Sequence, residues 1–192
     1  MRVTASPDTG GYTGAHSPRV KAARRLTKRA FRQRERAFLA EGPQAVAEAV
    51  QYGAHITDLF VTMPARSRYH DLVTAIAGAD VPVHIVSGEV MGELAQTVTP
   101  QGLLAVCGFV DVPLAEVTRP GLVALLANVR DPGNAGTVLR TADAAGAHAV
   151  VFADASVDPY NGKCVRASAG THNTCGAGPS GPSRVSERAP GN

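Results

Sequence analysis

The stretch Leu122-Val123-Ala124-Leu125-Leu126-Ala127-Asn128-Val129-Arg130-Asp131-Pro132-Gly133-Asn134-Ala135-Gly136-Thr137-Val138-Leu139-Arg140-Thr141-Ala142 decides how the chain is read. Leu122 to Leu126 is an uninterrupted apolar run, the pattern of a parallel strand buried on both faces. Asn128 to Gly133 then reads as a loop, and Asn134 to Ala145, stopped by Gly146, as a helix. A second strand, Ala149 to Phe152, completes a right-handed βαβ unit. A short helix from about Asn161 to Ala169 comes next.

A strand-to-helix turn at the carboxyl end of a buried strand is where open α/β sheets bind ligands. Gly133 and Gly136 would allow close approach of backbone to ligand, and the helix amino terminus would favour a phosphate. The spacing is neither that of GxGxxG nor that of a Walker A loop. At roughly 100° per residue, Val138, Ala142 and Ala145 fall on one side of the helix, with Arg140 opposite and not held by packing. On geometry alone Arg140 is either an ordinary solvent-facing arginine or a functional one. Asn134 is likewise either an N-cap or a functional amide.

Toward the amino terminus, residues 112–120, with Pro113 and Pro120, read as a linker. Before them the β-rich runs Ile56 to Thr62, Val81 to Val86 and Leu103 to Val110 alternate with the helix-compatible Ser67 to Ala77 and Gly88 to Gln96. This alternation argues for a small α/β layer domain over roughly residues 36–111. Pro43 opens and Gly53 closes a helix carrying Ala45, Val46, Ala49 and Val50. From Arg19 to Ala40 helix formers dominate, and Leu26, Ala30, Phe31 and Phe38 form an interrupted apolar stripe beneath many cations, a basic helical pair or a helix with an arm. Residues 1–18 and 171–192, rich in Gly, Pro, Ser and Thr, are expected to lack fixed structure. Residues 121–170 alone then supply two parallel strands and two helices, too few to cover the faces of a doubly wound sheet.

The length of 192 residues allows one full domain or two small ones. Residues 1–40 hold ten Lys and Arg against two acids, a net +8, and the remainder holds nine against fourteen, a net −5. Both an arm that meets nucleic acid and a solubilising tail fit this asymmetry. Cys107, Cys164 and Cys175 form no CxxC pair and the six histidines form no HExxH or Cys/His cluster, so neither a metal site nor a disulfide framework is indicated. Cys107 reads as core. With no apolar targeting region and no apolar run of ~20 residues, no membrane partner is expected and the compartment reads as cytoplasmic.

The positions Asn128, Arg130, Asp131, Pro132, Asn134 and Gly136, followed by Arg140, Thr141 and Ala142, closely resemble the first signature motif of the SpoU/TrmH family of RNA ribose methyltransferases. Phe38-Leu39-Ala40-Glu41-Gly42-Pro43, Pro100-Gln101-Gly102, Asp158-Pro159-Tyr160-Asn161 and Val165-Arg166-Ala167-Ser168-Ala169-Gly170 are similar to further segments, so the likeness spans roughly residues 20–170. The resemblance implies an α/β protein with two units. Residues 19–111 would be a basic helical segment plus a small RNA-binding domain similar to certain ribosomal proteins. Residues 121–170 would be part of a SPOUT-type, trefoil-knot domain.

The implied reaction moves a methyl group from S-adenosylmethionine to a ribose 2′-hydroxyl of rRNA or tRNA, in a homodimer and with no metal. Arg140 and Asn134 would stand at the target nucleotide as the catalytic pair. Arginine, with a pKa above about 12, is a poor base, so Arg140 is expected to hold a phosphate or stabilise the developing alkoxide. Arg24, Arg25, Lys28, Arg29, Arg32, Arg130 and Arg166 are the expected RNA contacts. The family's second and third motifs, which form the knot and most of the cofactor pocket, are absent from this sequence. The SPOUT domain is therefore expected to be incomplete, its cofactor residues unassigned, and the isolated chain unable to bind S-adenosylmethionine. The alternative is a non-catalytic RNA-binding module; a mononucleotide-binding α/β protein would rest on the single βαβ turn. The long basic amino terminus favours rRNA over tRNA.

Overall fold

The computed structural model describes residues 12–51, 53–114, 117, 121–153 and 156–168, and the backbone of 184–187. Most of the two stretches expected to lack structure (1–11, 169–183, 188–192) and part of the linker (115–116, 118–120) lie outside the described residues.

The basic segment folds as two short helices, α1 (Pro18–Arg25) and α2 (Arg29–Glu35). Pro18 suits the first helical turn because its missing N–H would be unpaired there. Helix formers predict helix as far as Ala40, but Arg36 closes α2 in the left-handed region (φ 49°) and Ala37–Glu41 extends as strand β1. Tertiary pairing overrides propensity here. β1 runs antiparallel to a later strand, with Ala37 opposite Gly108 and Glu41 opposite Leu104. The predicted stripe is divided accordingly, with Phe38 in β1 and Ala30 exposed.

Gly42, at φ 93°, turns the chain into α3 (Pro43–Gln51). There follow β2 (Ile56–Val61), α4 (Met63–Arg68), α5 (His70–Gly78), β3 (Val83–Ile85), α6 (Gly88–Leu94) and β4 (Leu103–Gly108). The single helix expected over Ser67 to Ala77 is two helices. Thr62 caps α4 by accepting the Ala65 N–H at 3.4 Å, and Tyr69 leaves helical geometry (φ −114°, ψ 38°) between them.

The sheet order is β1-β4-β2-β3, with β4 antiparallel to both neighbours and β3 parallel to β2. Alternation assigns the strands' side chains to two cores. Phe38, Ala40, Leu59, Val61, Leu103 and Ala105 pack with α3 and α5 on one face. Leu39, Phe60, Leu104 and Val106 pack with α1 and α6 on the other. Each such large side chain contributes about 1.5–3 kcal/mol by leaving water.

The second sheet is parallel, in the order β5 (Val123–Leu126), β6 (Ala149–Phe152), β7 (Arg184–Glu187). β7 falls inside the stretch expected to lack structure. β6 offers it a free edge, and the pairing runs from Ala149 opposite Arg184 to Phe152 opposite Glu187. Helix α7 (Pro132–Ala144) covers one face, with Ala135, Leu139 and Ala142 packed against Leu126, Val150 and Phe152.

The expectation that Leu122 to Leu126 is buried on both faces fails. Among the described residues nothing covers the outer side of β5, and Leu122, Val123 and Leu125 are 55%, 44% and 66% exposed. The short helix α8 (Gly162–Ala167) instead turns back on the first sheet, where Val165 and the preceding Tyr160 join the first core. Among the described residues no helix is long and apolar enough to cross a membrane.

Candidate functional site

β5 delivers the chain into Asn128, whose left-handed backbone (φ 61°) is one that asparagine tolerates. Its Oδ1 accepts Arg130 Nε–H at 3.0 Å. Beneath the loop, the Ser156 hydroxyl donates to the Leu126 carbonyl at 2.6 Å and accepts the Val129 N–H at 3.2 Å. Asp131 then caps α7. Its Oδ1 accepts the Asn134 N–H at 2.8 Å and its Oδ2 accepts Lys163 Nζ of α8 at 3.0 Å. These partners, the Asn134 N–H foremost and then Lys163, hold the Asp131 carboxyl below its ordinary range.

Two expectations change as a result. The amino terminus of α7 already carries a carboxylate, so it is not the phosphate site the turn suggested. Asn134 is the third residue of the helix rather than its cap, and its side chain is exposed.

Gly136 also has a different use from the one expected. A Cβ there would sit 2.5 Å from the Cys164 carbonyl oxygen and 2.6 Å from Ala167 Cβ, so this glycine lets α7 touch α8 rather than admit a ligand. The buried side of α7 is Ala135, Gly136, Leu139 and Ala142, with Ala145 exposed. Arg140 points to solvent as expected, and among the described residues no hydrogen bond or ion pair engages it. Asn134 and Arg140 thus stand about 9 Å apart along one helix axis, with exposed Arg130 on the loop before them.

The basic residues divide into two groups. Arg24, Arg25, Lys28 and Arg29 are exposed on and between α1 and α2; Arg24 pairs with Glu93 at 2.9 Å. Arg32 is not an RNA contact. It is 3% exposed, its Nε donates to Asp158 at 3.0 Å, and its Nη1 donates to the Leu26 and Thr27 carbonyls, each at 2.9 Å. A guanidinium this deep needs its counter-charge and acceptors, and these come from the loop before α8 and the end of α1. Arg166 likewise turns inward, donating to Glu41 at 2.8 Å, while Glu41 also accepts the Gln96 N–H at 3.1 Å and the Thr97 hydroxyl.

Tyr160 completes the junction. Its hydroxyl accepts the Val110 and Asp111 N–H groups and donates to the Asp111 carboxylate, all at 2.9 Å, and its ring stacks on Phe109 at 3.8 Å. Burial, and then Asp111, push its phenol well above the usual tyrosine value. Glu41, Asp158, Tyr160 and Lys163 have no role in the sequence reading. Their presence in the Phe38 to Pro43 and Asp158 to Asn161 segments and just after them was the available signal.

Residues 121–177 match the SpoU rRNA Methylase family, and residues 17–105 match the MRM3-like substrate binding domain. The chain thus carries a SpoU methylase segment behind an MRM3-like substrate-binding segment. The chain is 35% identical over 158 residues to the Bacillus subtilis 23S rRNA (guanosine(2553)-2′-O)-methyltransferase RlmP, covering 82% of the chain and 60% of that protein. It is 32% identical over 155 residues to the mitochondrial rRNA methyltransferase 3 of Mus musculus, covering 77% of the chain and 36% of the relative. The structure of an AdoMet-bound rRNA methyltransferase from Sinorhizobium meliloti superposes with a TM-score of 0.75 at 28% identity, covering 91% of this chain and 64% of that one. A solved RNA 2′-O ribose methyltransferase gives a TM-score of 0.73 at 30% identity, covering 93% of this chain and 66% of that one. The chain therefore spans about 60% of the length of the first curated relatives it matches.

The groups presented at the α7 loop are the cations Arg130 and Arg140, the Asn134 amide and an Asp131–Lys163 ion pair. Such a set suits phosphate and ribose oxygens. It does not fit the sulfonium of S-adenosylmethionine, a cation that Arg130 and Arg140 would repel. Among the described residues no cluster of three or more His, Cys, Asp or Glu is placed to hold a metal ion.

Proposed function

We propose that this chain supplies the RNA-binding unit and the ribose-facing loop of an RNA 2′-O-methyltransferase that acts on rRNA, with S-adenosylmethionine as methyl donor held by residues other than those of the α7 loop. The observation that carries this reading is Arg140, an unpaired exposed guanidinium on the helix whose start is fixed by Asn128, Asp131 and Lys163. Arg140 holds the phosphate beside the target ribose and stabilises the 2′-oxygen as it loses its proton to that phosphate or to water. Asn134, about two turns earlier, hydrogen-bonds the same nucleotide, and Arg130 holds the neighbouring backbone. The reading includes a homodimer and a cytoplasmic location, and sedimentation velocity tests the first of these.

The test is incubation of the chain with rRNA and methyl-tritiated S-adenosylmethionine, followed by alkaline hydrolysis. A 2′-O-methyl group protects the adjacent phosphodiester, so tritium in alkali-resistant dinucleotides supports the proposal. Tritium in mononucleotides, as from a base methyl, overturns it. Arg140→Ala removes the label by about a hundredfold while leaving RNA affinity within about twofold. A second reading, a non-catalytic RNA-binding module, is favoured by the absence of a sulfonium partner among the loop groups. It predicts salt-dependent RNA binding with no label at all.

A further inference from the structure

A cavity of about 330 Å3 lies away from the α7 loop, between α1, α2 and the first sheet. Its floor includes buried Ala23 and Leu26, and its rim carries Arg19, Arg25, Arg34 and the half-buried ring of Phe31. The guanidinium carbons of Arg34 and Arg25 lie 4.8 and 5.7 Å from the centre of that ring. The two carboxylates in the lining are already engaged: Glu35 with Arg34 at 2.7 Å, and Asp58 with His84 at 2.9 Å and Arg19 at 3.5 Å. Three cations against two acids leave the lining positive, within a segment that also exposes Arg24 and Lys28. With Arg34 balanced by Glu35 and Arg19 by Asp58, Arg25 is the lining cation left without a carboxylate among the described residues, and an anion beside it would supply the missing charge.

We propose that this cavity receives one unpaired nucleotide of the RNA substrate, its base stacked on the Phe31 and Arg34 planes and its phosphate between Arg25 and Arg34. The inference rests on the RNA-binding reading above and adds a place and a strand preference to it. A free phosphate would use the arginines alone, whereas the aromatic ring and the apolar floor match a base. Base stacking on aromatic and guanidinium planes is how unpaired RNA is held, and a duplex has no free base to offer. The volume lies at the lower end of small-ligand pockets, roughly 300–1,000 Å3. Position gives the site a consequence. Arg32, next to Phe31 on α2, is bonded to Asp158, so a nucleotide at Phe31 is held at a set distance from the unit that carries Arg140.

The test is fluorescence anisotropy with a labelled single-stranded oligoribonucleotide of about twelve nucleotides and with the duplex of the same length. Phe31→Ala should weaken single-strand binding about tenfold, change duplex binding by less than about twofold, and leave the salt slope unchanged. Arg25→Gln should lower the single-strand salt slope by about 0.7. If Phe31→Ala lowers the melting temperature, Phe31→Leu, apolar but without a π face, takes its place with the same expected loss. Single-strand affinity equal to that of the unsubstituted chain, or an equal loss on the duplex, overturns the cavity. Failure of the unsubstituted chain to bind either form overturns the RNA reading itself, so the two failures are distinguishable.

Discussion

Strands β4 and β5 are both continuous apolar runs, yet β4 lies inside a four-stranded sheet with helices on both faces, while β5 leaves Val123 and Leu125 in water. Apolar continuity reports what a strand is able to bury, not what buries it. The second unit draws support from the first. Tyr160 and Val165 enter the first core, Arg32 reaches Asp158, and Arg166 reaches Glu41. The unit that carries the α7 loop is held in part by the unit that carries the basic surface.

The largest effect should come from cutting that support. Arg32→Ala leaves the Asp158 carboxylate buried without its partner and is expected to cost about 3–5 kcal/mol in a denaturant titration. Because Arg32 is not an RNA contact, the salt slope of RNA binding should not change. An unaltered unfolding midpoint would show that the second unit stands without the first. The contrast between the strands themselves comes next. Leu104→Ala in β4 should cost about 2–5 kcal/mol, whereas Leu125→Ser on the open side of β5 should stay within about 0.5 kcal/mol. A large loss at Leu125 would mean that this side is covered in solution.

Cysteine labelling compares the units without mutation. Burial pushes both thiols up to about 12, Cys107 in the core of the first unit and Cys164 beneath α7 in the second unit, with the Asp158 and Asp131 charges adding to the latter. At pH 8 only about one in ten thousand of either would be thiolate, so native-state alkylation followed by peptide mapping should find both unmodified. Labelling of Cys164 well before Cys107 would show that the second unit opens on its own.

The smallest effect is at the loop. The Asp131 carboxyl is depressed when folded, so its contribution is complete above its unfolded value near 3.8 and is lost as pH falls through the lower folded value. The Asn134 amide resonance should therefore titrate with a midpoint below 3.8; a midpoint at or above that value would mean the cap does not form in solution.

Much of this organisation was legible from local pattern. Pro43, Gly53 and Gly146 marked helix ends, the alternation of apolar runs marked β2, β3, β4 and β6, and the spacing from Asn128 to Ala142 marked the loop and the outward face of Arg140. Errors arose where a distant partner decides the outcome. β1 is a strand because β4 lies beside it, and Arg32 is buried because Asp158, 126 residues away, meets it. Gly136 is small because α8 crosses there.

By itself the sequence determined the kind of protein, the strands β2 to β6 and the exposed helix position of Arg140. These follow from residue type and from the 2.0 and 3.6 periods, which are local properties. Only the tertiary structure decided which cations face solvent and which bind the two units together. An arginine has the same charge in either role, and the difference is made by whether a carboxylate from another part of the chain reaches it in a water-poor place.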